Sequence, residues 1–228
     1  MQFLKDLLYL FYPELCVICE SKLVTNEKIL CTYCRHDLPI INYTNYRKNK
    51  ITEIFYGRIP IEKAASFMLF RKKGKVKDLI HQLKYKKNQK IGVFIGNWFG
   101  EILQKNKEFI DIDFIVPVPL HKNKYRKRGY NQVTKFGECL SEILSISYEE
   151  KLLIRTSSTK TQTLKQRFDR FKNIETKFLL TDTSFFKNKH ILLIDDVITT
   201  GATLEACSKE LLKSEGIKIS IATMAFTE

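Results

Sequence analysis

The chain has 228 residues, 44% of them hydrophobic and 28% charged, with 16 Phe and 10 Tyr. That suits one domain of about 100–200 residues with an appendage, or two small ones, and it excludes wholesale disorder. The 39 Lys plus Arg against 25 Asp plus Glu leave a net charge of +14, an excess suited to polyanions or phosphorylated small molecules.

At the N-terminus, residues 3–11 are apolar but broken by Lys5 and Asp6, and no run approaches the roughly 18–20 residues of a membrane span. We expect a cytoplasmic protein with no membrane insertion. Next come two CxxC knuckles, Cys16-Val-Ile-Cys19 and Cys31-Thr-Tyr-Cys34, separated by eleven residues. Two such knuckles supply the four thiolates of a closed tetrahedral shell, the arrangement of structural zinc, so Cys16, Cys19, Cys31 and Cys34 are the expected metal ligands. A redox dithiol normally uses one CxxC on a βαβ unit; that reading and an iron–sulfur centre are the alternatives. The polar residues 42–50 read as a linker, with residues 1–45 as a zinc module and 46–228 as the main domain.

From there apolar runs alternate with helical periodicity. Strands are predicted over residues 64–70, 114–119, 191–194 and 217–225, and helices over 76–83, 91–103, 132–144 and 202–213. Strands separated by helices imply βαβ units and an α/β fold built on a parallel sheet. On the first helix, His81 and Lys84 share a face, which we expect to be solvated. Cys139 and Cys207 fall on helical patterns as buried fillers.

The most informative stretch is His190-Ile-Leu-Leu-Ile-Asp195-Asp196-Val-Ile-Thr199-Thr200-Gly201-Ala202-Thr203. A strand buried on both faces delivers two carboxylates at its C-terminal end, where α/β proteins bind ligands. A bend of hydroxyl residues with Gly201 then opens a helix whose free N–H groups suit a phosphate dianion. A sugar phosphate fits both features: its vicinal hydroxyls donate to the carboxylates, and the bend holds its phosphate. A merely N-capped helix after two solvated aspartates is the alternative.

These residues resemble the fingerprint of the type I phosphoribosyltransferases. The resemblance implies that Asp195 and Asp196 contact the ribose hydroxyls of phosphoribosyl pyrophosphate. It also implies that Thr199, Thr200, Gly201, Ala202 and Thr203 hold the 5′-phosphate. Three further segments are similar to the ComF branch, the competence-associated members. They are Val116-Pro-Val-Pro-Leu-His121 followed by Arg126-Lys-Arg128-Gly-Tyr-Asn131-Gln132; Lys77-Asp-Leu-Ile-His81-Gln-Leu-Lys84-Tyr85; and residues 155–178. By this resemblance Pro119, Leu120 and Arg126 contact the substrate, and Gln162, Arg167 and Arg170 belong to a mobile active-site loop.

The basic turn after strand 114–119 lies at the same sheet edge as the acidic pair, so Arg126 or Arg128 is the expected pyrophosphate clamp, and His121 is a weaker substrate contact. Asp195, Asp196 and Arg128 are thus the expected catalytic residues, with Mg²⁺ bridging pyrophosphate and ribose. One function class is an enzyme transferring a phosphoribosyl group. The other is a non-catalytic binder of nucleotide or single-stranded DNA, working with competence-machinery proteins in DNA uptake. That class draws on the net charge and on Tyr85, Tyr125 and Tyr130 placed amid basic residues.

Overall fold

The structure is a computed structural model and describes residues 12–156 and 177–228. Five strands form one parallel sheet in the order β1-β7-β6-β2-β3. They are β1 (Ala64–Phe70), β2 (Phe114–Pro117), β3 (Ser147–Tyr148), β6 (His190–Ile198) and β7 (Lys218–Thr227). Between β3 and β6, β4 (Leu153–Thr156) and β5 (Lys177–Leu180) pair antiparallel as a separate ribbon.

The central strands are apolar on both faces because both faces are covered. Along β6, Leu192 and Ile194 join one core with the buried sides of α3 (Lys75–Tyr85), α4 (Lys90–Asn106) and α6 (Thr134–Leu144). Ile191 and Leu193 point the other way, into a core with α2 (Lys50–Phe55), α7 (Ala202–Leu211) and the β4–β5 ribbon. Among the described residues, two short helices complete the set: α1 (Thr32–His36), which carries Cys34, and α5 (Lys122–Arg128).

The structure departs from the sequence reading in four places. The strand predicted over 114–119 ends at Pro117. The one predicted over 191–194 runs on to Ile198, because Asp195, Val197 and Ile198 keep pairing with β7. The basic turn is a helix, α5, capped by His121 Nδ1, which accepts from the Asn123 N–H at 3.1 Å, and closed by Gly129 at φ +83°. Residues 42–50, read as a linker, lie against β1: the Ala64 N–H donates to the Tyr46 carbonyl, the Ser66 N–H donates to the Tyr43 hydroxyl, and the Asn49 side-chain amide donates to the Ala64 carbonyl. Tyr43 and Tyr46 carry the contact, and two aromatics in a polar run leave no periodic signal.

Candidate functional site

A cleft of about 430 Å³ opens at the C-terminal edge of the sheet. Its floor is the end of β6. Asp196 is 6% exposed and Asp195 half-buried, and the Asp196 N–H donates to Asp195 Oδ1 at 2.8 Å. Burial, and then the adjacent charge of Asp196, push the Asp195 carboxyl above its ordinary range, while Lys84 and Arg155 pull it back.

Residues 199–203 divide between two roles. Thr199 and Thr203 border the cleft, while Thr200, Gly201 and Ala202 shape the bend. Gly201 takes φ +75°, and a Cβ there would meet Ile54 Cγ2 and Phe55 Cε1 of α2 at 2.9 Å, so only glycine suits this bend. Arg58, just after α2, braces the bend from outside. Its guanidinium donates to the Thr200 carbonyl at 3.2 Å and reaches Glu205 Oε2 of α7 at 2.5 Å.

The opposite wall comes from β2 and the chain just beyond it. The Val118 N–H donates to the Ile194 carbonyl at 2.9 Å, which carries Pro119 and Leu120 to the cleft beside the aspartates. The Arg128-Gly-Tyr-Asn-Gln132 run then works as a bracket. The Asn131 amide donates to the Val118 carbonyl at 3.0 Å, the Tyr130 hydroxyl donates to the Leu83 carbonyl of α3, and Arg128 donates to the Gln132 amide oxygen. Arg128 is thereby held at the cleft, with its guanidinium 5.3 Å from the Tyr85 ring centroid.

The third wall is α3. Val76, Leu79, Ile80 and Leu83 bury one side of this helix, while Lys77, His81, Lys84 and Tyr85 border the cleft. Lys84 Nζ donates to Asp196 Oδ1 at 2.8 Å. Lys77, Lys84, Lys124, Arg128 and Arg155 thus line the same cleft as Asp195 and Asp196, five cations and two carboxylates. That balance fits a ligand with several negative charges and a hydroxylated part.

Some predicted residues fall elsewhere. Arg126 is exposed and away from the cleft, so of the two arginines it is Arg128 that stands at the aspartates. His121 serves as a helix cap. Tyr130 is buried with its hydroxyl engaged, which removes it as a stacking surface, and Tyr125 is exposed outside the cleft; Tyr85, 58% exposed, borders it. His81 is exposed, as expected of a solvated face, but that face is the cleft wall. Gln162, Arg167 and Arg170 lie outside the described residues. The sequence reading missed the Lys84–Asp196 pair and the Arg58 brace, whose partners are 112 and 142 positions apart.

Outside the cleft, the four Sγ atoms of Cys16, Cys19, Cys31 and Cys34 lie within 4.8 Å of one another, with Cys19 and Cys31 at 3.6 Å, and no disulfide joins them. Thiolates about 2.3 Å from a tetrahedral ion stand about 3.8 Å apart, so the cluster has the dimensions of a closed four-sulfur metal site. Cys139 and Cys207 are both buried, Cys207 within the apolar core that also holds Leu204 and Leu211. Among the described residues, no helix is long and apolar enough to cross a membrane.

Residues 131–227 match the phosphoribosyl transferase domain family. The chain is 37% identical over 105 residues to Competence protein F of Haemophilus influenzae, covering 46% of this chain and 45% of that protein. It is 28% identical over 146 residues to DNA utilization protein YhgH of Escherichia coli, covering 63% of each. The match therefore spans less than two thirds of the length of either relative. Among solved structures, purine phosphoribosyltransferase from Pyrococcus horikoshii covers 60% of this chain and 73% of its own, at 22% identity and a TM-score of 0.36. The domain match and those relatives make the chain similar to the ComF-type, phosphoribosyltransferase-like competence proteins.

Proposed function

We propose that the cleft binds phosphoribosyl pyrophosphate with Mg²⁺ and that the protein acts on phosphoribosyl groups during DNA uptake. The observation that carries this reading is the meeting of Asp195, Asp196, Thr199 and Thr203 with five cations in one cleft. The 5′-phosphate sits on the bend from Thr199 to Thr203, where the start of α7 offers N–H groups to an anion. The ribose diol donates to Asp195 and Asp196. The pyrophosphate lies toward Arg128 and Lys124, and Mg²⁺, when bound with it, would add positive charge that eases departure of the leaving group.

In the transfer, an acceptor lone pair forms a bond to the anomeric carbon as the bond to the pyrophosphate oxygen breaks. Pyrophosphate leaves with that electron pair, and the acceptor proton passes to solvent. The protein contributes position and charge, holding the ring on the carboxylates while cations stabilise the departing anion. Zinc in the four-cysteine cluster gives residues 1–45 a structural anchor for the main domain, 46–228. The names of the curated relatives, a competence protein and a DNA utilization protein, supply the setting in DNA uptake.

A second reading, a non-catalytic binder of nucleotide or single-stranded DNA, is favoured by Tyr85, an exposed ring at the cleft flanked by His81 and Arg128. Calorimetric titration with phosphoribosyl pyrophosphate and Mg²⁺ tests the first. Binding should be abolished by Asp195→Ala with Asp196→Ala; heats unchanged in that variant would remove the sugar-phosphate site. Pyrophosphate release with any of a panel of bases and amines supports transfer, and silence with all of them favours the binder.

A further inference from the structure

Building on the sugar-phosphate reading, we infer that Lys84 is a specificity-determining residue that admits only ligands carrying both a diol and an anion on the far side of the ribose. Lys84 Nζ stands 2.8 Å from Asp196 Oδ1, and the two side chains are only 22% and 8% exposed. The pair is therefore drawn largely out of water, where each charge depends on the other.

A ribose diol placed on Asp196 competes for the oxygens that Lys84 occupies. If the ligand brings hydroxyls alone, the carboxylate is satisfied but the ammonium is left half-buried without its counter-charge, and binding is penalised. A ligand that also brings a phosphate group to that end of the cleft gives the ammonium a new partner. Lys84 then exchanges one anion for another, and the penalty disappears. Its position supports this exchange. Tyr85 and Arg128 adjoin it, and Lys77 and His81 lie along the same side of α3, so a short swing of a flexible side chain stays within the cleft. Arg128, by contrast, is fixed by Gln132 and stacked near Tyr85. The division of labour is a stationary cation, Arg128, beside a movable one, Lys84.

The test compares phosphoribosyl pyrophosphate, with Mg²⁺, and ribose 5-phosphate as ligands of the full-length chain, in wild type, Lys84→Met and Lys84→Arg, by calorimetry. Lys84→Met should weaken phosphoribosyl pyrophosphate by about tenfold to a hundredfold while ribose 5-phosphate binds as well or better, so the preference between them collapses. Lys84→Arg should keep the preference. Equal losses for both ligands, or no loss for either, would overturn the inference and leave Lys84 a structural tether. If Lys84→Met fails to melt cooperatively, Lys84→Gln serves for the same ratio, with the same outcomes decisive. Should wild type bind neither ligand, the sugar-phosphate reading and this inference fall together. Should wild type bind phosphoribosyl pyrophosphate in a manner that needs Asp195 and Asp196, while the lysine variants keep the wild-type ratio, this inference alone is overturned.

Discussion

Asp195 is held where a carboxylate is costly. Burial and the charge of Asp196 raise its pKa in the folded chain above that of the unfolded chain, despite Lys84 and Arg155. A group raised in this way favours the fold while protonated, below its unfolded value of about 3.9, and that contribution is lost as pH rises through the folded pKa. At neutral pH, well above the unfolded value, holding Asp195 in this setting thus works against stability, a trade accepted at binding sites. Asp195→Asn should raise the neutral-pH melting temperature by about 2–4 °C, the shift that about 1 kcal/mol produces in a chain of this size, while ligand heats vanish. A lower melting temperature would mean that the carboxylate is a structural partner. The acidic pair and its glycine bend were legible in the sequence because they are contiguous. Lys84 and Arg58 were not, because their roles depend on partners brought together only by the fold.

At the level of elements, the long helices and buried strands were readable from their periodicity, and each begins and ends within a few residues of its expected bounds except β6. Short helices such as α2 and α5 have too few turns to show a period, and the four-residue strands of the β4–β5 ribbon are too short to show a clear alternation. The packing of α4 on α6 was hidden too, because it depends on glycine rather than on an apolar stripe. A Cβ at Gly96 would stand 2.8 Å from Cys139 Cβ and 2.9 Å from the Phe136 carbonyl oxygen, and one at Gly100 2.8 Å from Ile143 Cδ1. Backbone cannot yield as a flexible side chain can. Gly96→Val should therefore lower unfolding free energy by roughly 1–3 kcal/mol, read as an earlier midpoint in denaturant. An unchanged midpoint would show that the two helices have room to separate.

Across the whole molecule, the cysteine cluster shares a core with the helices that cover the parallel sheet. Cys16, Cys31 and Cys34 pack in the same cluster as Leu79, Leu83 and Ile95. The Gln82 amide donates to the Val17 carbonyl at 2.6 Å, Lys75 pairs with Asp37 at 2.7 Å, and the Arg35 guanidinium lies 4.5 Å from the Trp98 ring centroid. Removing the metal should therefore reach α3 and, through it, the wall that presents Lys84. We predict about one zinc per chain by metal analysis, and a fall of about 5 °C or more in the main melting transition after chelation or in Cys16→Ser. A separate early transition with the main one unmoved would make the module independent.

The most direct measurement is a crystal structure of the full chain grown with phosphoribosyl pyrophosphate and Mg²⁺. The 5′-phosphate should lie in the bend between Thr199 and Thr203, and both ribose hydroxyls should lie within hydrogen-bond distance of Asp195 and Asp196. Density for the ligand anywhere else, or a well-occupied ligand whose ribose leaves those two carboxylates untouched, would contradict the account.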